Sequence, residues 1–139
     1  MFILEDCMAY LASRNAKELA EILDRRISVL RITRVQWMTL YYIHVNSNIT
    51  QKMLASLLGT KEPTVVRLID RMEKDGLVQR VRKDRRSNEV LLTEKGIDLF
   101  YKGTEIAEKF KNDAISGIPE EYLEQFKWVL KKMVENTAD

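Results

Sequence analysis

Apolar residues recur at helical spacing through most of this chain. From residue 5 to about residue 30, Met8, Leu11, Ala12, Leu19, Ile22, Leu23, Ile27 and Leu30 keep the three- and four-residue rhythm of one long helix. The polar residues between them suit a helix that packs against a partner rather than deep in one core. Thr33-Arg34-Val35-Gln36 has the form of a capping box, so a second helix begins there. It carries two apolar stripes, Trp37, Leu40, Tyr41 and His44 on one side and Val35, Met38, Tyr42 and Val45 on the other. A helix that is apolar on nearly all sides is expected to be buried.

Thr50 caps a short helix that carries Met53, Leu54, Leu57 and Leu58 inward and stops at Gly59. Thr60 is expected to cap the next helix, which holds Pro63 in its first turn and runs to about Lys74. Two short helices joined at Gly59 and Thr60 predict a helix-turn-helix. The second has two faces: Val65, Leu68, Ile69 and Met72 inward, Lys61, Thr64, Arg67, Arg71 and Lys74 outward. That outward face, basic and hydrogen-bonding along its length, is what a helix in a DNA major groove requires.

Asp75-Gly76 ends this helix. Val78 to Arg82 and Glu89 to Thr93 read as strands of a hairpin, a wing following the helix-turn-helix. Thr93 caps a long helix to about Ile115. After Gly117-Ile118-Pro119 a last helix carries Leu123, Phe126, Leu130, Met133 and Val134 as an apolar stripe, with acids at its start and lysines near its end. The predicted fold is mainly α with a small β-hairpin.

Composition narrows the function. The 139 residues are 45% hydrophobic and 32% charged, within the range of a single folded domain. No apolar run approaches the ~18 residues of a membrane span, and Met1 to Asp6 lack a basic leader, so a cytoplasmic protein is expected. One His, one Cys and five scattered glycines leave no zinc cluster, disulfide framework or phosphate-cradling loop. No enzyme, metal or cofactor is therefore expected. The net charge of +2 is uneven. Thr50 to Lys95 holds eleven Lys and Arg against seven Asp and Glu, and the excess peaks at Arg80, Arg82, Lys83, Arg85 and Arg86 around Asp84. Such a stripe is the footprint of a phosphate-binding surface, or equally a solvated loop tip.

In order along the chain, Ile32-Thr33, Gln36-Trp37, Thr50 with Leu54-Ala55, Leu58-Gly59, Pro63-Thr64-Val65, Arg67 to Glu73, Gly76-Leu77-Val78 and Arg80, Asp84-Arg85-Arg86 and Leu92 to Gly96 resemble the multiple-antibiotic-resistance regulator (MarR) family. The resemblance implies a winged helix-turn-helix over about 33–95. Dimerisation helices at about 5–30 and 95–136 complete a single domain, 1–139. It implies a homodimer on a pseudo-palindromic operator in double-stranded DNA, usually as a repressor that a small aromatic or phenolic ligand releases. By the same resemblance Lys61, Thr64, Arg67 and Arg71 meet bases and phosphates. Arg82, Lys83 and Arg85 neutralise phosphate, and Arg86 enters the minor groove with Asp84 orienting its loop. The stretch between Arg80 and Asp84 is shorter than the family's usual wing.

Two further positions carry alternatives. Cys7 lies near where the family's peroxide-sensing branch keeps its reactive thiol, which makes a redox-responsive regulator one reading. Glu5 and Asp6 beside it favour a small apolar residue near a dimer interface. Trp37, Tyr41 and His44 share a helix face that suits an effector pocket, although a core histidine with a hydrogen-bonded ring is the plainer expectation. A winged-helix module for protein contact is the remaining alternative.

Overall fold

The computed structural model describes residues 1–82, 84 and 88–139. Among them run helices α1 (Met8–Ile27), α2 (Arg34–Val45), α3 (Gln51–Leu58) and α4 (Glu62–Lys74), then strands β1 (Val78–Arg82) and β2 (Asn88–Leu92), then α5 (Glu94–Ile115) and α6 (Glu120–Thr137). Short 3-10 turns at Leu4–Asp6 and Ser28–Leu30 flank α1.

Helix starts follow their capping residues. The Thr33 hydroxyl accepts from the Gln36 amide at 3.0 Å, and the Gln36 side chain accepts from the Thr33 amide at 2.9 Å. Asp24, from the preceding helix, adds a third acceptor for this terminus, taking the Arg34 amide at 2.6 Å. Thr50 and Thr93 cap α3 and α5 in the same way, at 3.2 and 3.0 Å. Gly59 closes α3 at φ 67°, a left-handed conformation that side chains resist.

Thr60 does not cap α4. Its backbone amide bonds back to the Ala55 carbonyl at 2.9 Å, closing α3, and Lys61 becomes the last extended residue before the helix. The reading of β2 is off by one residue: it spans Asn88–Leu92, because Thr93 turns its hydroxyl to the α5 terminus.

β1 and β2 pair antiparallel with Val78 opposite Leu92 and Arg82 opposite Asn88. Ile49 and Thr50 add a short third edge, through the Val90 amide to the Ile49 carbonyl at 3.0 Å and a bridge from Thr50 to Glu89. The core sits where these pieces meet. Ile27, Leu40, Ile49, Leu54, Val65, Ile69, Met72, Leu77, Val78 and Val90 are all but completely buried, with Phe100 closing one side. Full burial of each such side chain is worth about 1.5–3 kcal/mol.

The expectation that α2 is buried all round holds for one face only. Gln36, Thr39, Leu40 and Ile43 are buried, whereas Val35, Tyr41, His44 and Val45 are exposed. Of the second stripe Val35 and Val45 are exposed, while Met38 and Tyr42 are half-buried and Tyr42 packs against the core. Helix α6 buries no residue fully, and Tyr122, Phe126, Trp128, Val129 and Val134 stand exposed along it.

Helix α5 is tied to α1 by an ion pair, Arg26 Nη1 to Asp113 Oδ2 at 2.8 Å, with the guanidinium over the Phe110 ring. The Arg26 hydrogen bond, and after it that of Lys109, holds the Asp113 carboxyl below the ordinary carboxylate range. No helix among the described residues is long and apolar enough to cross a membrane.

Candidate nucleic-acid interface

The surface begins with the way α4 is split. Val65, Ile69 and Met72 are wholly buried against the core, which fixes the rotation of the helix about its axis. Residues on the opposite side of the helix must then face out. Lys61, Thr64, Arg67, Arg71 and Lys74 are all exposed, and the Arg67 guanidinium lies 3.5 Å from the Thr64 hydroxyl. Thirteen helical residues span about 20 Å, so the basic face is long enough to follow a groove. Arg67, Arg71 and Lys74 line an open depression together with Asp70 and Asp75.

The wing rises from the C-terminal end of α4. Leu77 and Val78 are buried at its base, and Gly76, at φ 77°, makes the turn. Arg82 ends β1 exposed, with its Nε donating to the Asp84 carbonyl at 3.3 Å. Lys83, Arg85 and Arg86 lie outside the described residues.

One cation of the basic stripe is not part of the outward surface. Arg80 turns in from β1, its side chain 18% exposed. Its Nε donates to Gln51 Oε1 at 2.8 Å and its Nη2 to the Val66 carbonyl at 3.0 Å. It pairs with Asp70 at 2.8 Å and Glu73 at 3.0 Å. Counting charge along the chain groups Arg80 with its neighbours. The signal that separates it is the pair of acids three residues apart on α4, which offers a strand arginine two carboxylates on one face.

Trp37, Tyr41 and His44 form part of a larger aromatic surface between α2 and α5. The Tyr41 ring lies 6.2 Å from Trp37 and 6.3 Å from Phe100. His44 stacks on Phe100 at 4.2 Å and meets Tyr101 edge-on at 5.6 Å. The Trp37 indole donates to Thr104 at 3.2 Å. His44 is exposed and stacked, rather than a core ring fixed by hydrogen bonds. Phe100 and Tyr101 read from the sequence only as apolar positions of the long helix, and neither they nor Thr104 could be joined to this face because α5 lies more than fifty residues away. Gly103 is what lets Trp37 lie so close, since a Cβ there would press into the indole.

Cys7 is the half-buried residue preceding α1. With Ala9 and Ala12 of α1 and Leu130, Met133 and Val134 of α6 it lines a groove of about 540 Å³. No group of three or more His, Cys, Asp or Glu is placed to hold a metal ion among the described residues.

Comparison with known proteins agrees with this architecture. Residues 32–87 match the model of the MarR family. Staphylococcus aureus MepR, solved in complex with DNA, is 30% identical, with a TM-score of 0.87 over 94% of this chain and 97% of its own. The transcriptional regulator PA3341 is 32% identical, with a TM-score of 0.81 over the same shares of the two chains. CouR from Rhodococcus jostii RHA1, bound to p-coumaroyl-CoA, shares the fold at 20% identity, with a TM-score of 0.84 over the whole of this chain and 99% of its own. From the split helix, the wing behind it and identity sustained over nearly the full length of two relatives, the chain belongs to the MarR family of winged-helix transcription regulators.

Proposed function

We propose that the protein is a sequence-specific DNA-binding regulator that acts as a homodimer, a repressor released from its operator by a small aromatic ligand. The observation that carries this reading is α4, whose apolar face is wholly buried while its basic face stands clear. Arg67 and Arg71 read base edges from that face, a bidentate contact to guanine being worth about 1–3 kcal/mol of discrimination. Lys61 and Thr64 hold the helix to the backbone at its N-terminal end. Arg82, Lys83 and Arg85 neutralise phosphate beside it, and Arg86 enters the minor groove. The relative MepR, captured on DNA, supports the DNA assignment.

Two uncovered apolar surfaces support the rest. The α6 stripe, with Phe2, Ile3, Leu4 and Met8 also exposed at the other end of the chain, is covered by a second copy of the same chain. Two recognition helices then fall about one helical turn of DNA apart, roughly 34–36 Å. The aromatic surface of Trp37, Tyr41 and His44, backed by Phe100 and Tyr101 of α5 at 4.2 and 5.6 Å from His44, offers an apolar aromatic face to a planar ligand.

Binding to a labelled mixed-sequence duplex across a salt series tests the phosphate-facing assignment. Affinity is expected to fall steeply with salt, and Lys61→Ala/Arg82→Ala protein to show a slope shallower by about one to two. An isotherm that these substitutions leave unaltered would instead identify the winged lobe as a protein-docking module.

A further inference from the structure

Arg80 joins three elements with one side chain. Its guanidinium reaches α3 at Gln51 and α4 at the Val66 carbonyl, Asp70 and Glu73, while its backbone belongs to β1 of the wing. Its own amide also donates to Glu73 Oε2 at 3.2 Å, so Glu73 holds both the side chain and the strand. A planar fork with fixed donor directions sets both distance and angle between its partners. Asp70 and Glu73 are themselves substantially exposed, on the helix that carries Arg67 and Arg71. Two carboxylates there oppose a polyanion, and their ion pairs with Arg80 are what offsets that charge beside the basic face.

The geometry points to Arg80, Asp70 and Glu73 as a positioning clamp that fixes the wing against the recognition helix and so sets DNA specificity without touching DNA. This rests on the DNA-binding reading above. Charge alone and the clamp predict opposite signs. If the two acids are merely solvated, neutralising them removes repulsion and strengthens all DNA binding. If they hold Arg80, neutralising them frees the wing from the helix. Specific binding then weakens although the protein has become more positive, and binding to random sequence does not.

The test uses Asp70→Asn/Glu73→Gln protein, near-isosteric at two exposed positions, and Arg80→Lys protein, which keeps the charge and loses the fork. Each is titrated against a duplex selected from a random pool and against a scrambled duplex of equal composition. The clamp predicts that affinity for the selected duplex falls about tenfold in both proteins, while affinity for the scrambled duplex is unchanged or higher. Unchanged or tighter binding of the selected duplex by Asp70→Asn/Glu73→Gln protein would overturn it. So would an equal loss on both duplexes, which marks a general folding defect. Arg67→Ala protein separates this failure from that of the underlying reading, because its preference for the selected duplex is weakened whether or not the clamp exists.

Discussion

Phe126→Glu/Val129→Glu protein is expected to sediment at the mass of one chain, 16.3 kDa, and the unaltered protein at twice that. The helix that carries these residues buries nothing within the chain. Tyr122, Phe126, Val129 and Met133 follow one another every three or four residues, and Tyr122 and Phe126 are each 57% exposed. An apolar stripe of that length on a water-facing helix is stable only when covered. In a two-fold interface each residue is used twice, so the double substitution places four carboxylates in one apolar contact. The dissociation constant is expected to rise at least about 1,000-fold, roughly 4 kcal/mol. DNA affinity falls with it, by about 100-fold or more, because the second half-site is no longer held at high effective concentration. Lys131→Glu, on the opposite side of α6, leaves both measurements unchanged. A double variant that remains dimeric would show that α6 is not the shared surface.

Gly96→Ala is expected to cost far more stability than its single added methyl suggests. A Cβ at this position falls inside the contact distance of the Leu77 carbonyl oxygen, with the Leu77 carbonyl carbon only 3.1 Å away. That carbonyl cannot rotate aside. It accepts the Thr93 amide at 3.1 Å, and the Leu77 amide is committed to the Met72 carbonyl at 2.9 Å. The Thr93 hydroxyl bridges the same junction, donating to the Gly76 carbonyl at 2.6 Å while capping α5. The first turn of α5 must therefore lift off the base of the wing. We expect a loss of about 3 kcal/mol, read as a fall of ~10 °C in Tm. Gly59→Ala is the comparison. Nothing lies within 4 Å of its Cβ, so only the left-handed backbone resists, at about 1–2 kcal/mol. Equal losses in the two variants would refute the steric account of Gly96.

What the sequence disclosed and what it hid divide along the distance over which a residue acts. Thr33, Thr50 and Thr93 cap through bonds that span three residues, so a reader of the chain has both partners in view. Gly59 and the split faces of α4 were legible for the same reason. Thr60 misled because its amide answers to the helix behind it, which makes the same residue unavailable as a start for the helix ahead. The inward turn of Arg80 depends on Gln51, 29 residues away, and on two acids of another element. Arg26 and Asp113 are separated by 87 positions. Periodicity also marks a position as apolar without saying what covers it. That is why α2 and α6 read as buried or striped alike, although one face of α2 meets the core and α6 only lies along the start of α1, with no residue fully buried.

Selection of bound duplexes from a random-sequence pool tests the central claim most directly. A dimer with two basic α4 faces predicts an enriched inverted repeat, its half-sites centred about 10–10.5 base pairs or a multiple apart. Arg67→Ala protein, put through the same selection, is expected to relax the preference at one symmetric pair of positions while the rest of the repeat survives. A pool that stays random at low salt, where phosphate contacts are strongest, would contradict the assignment of α4 as a reader of DNA sequence.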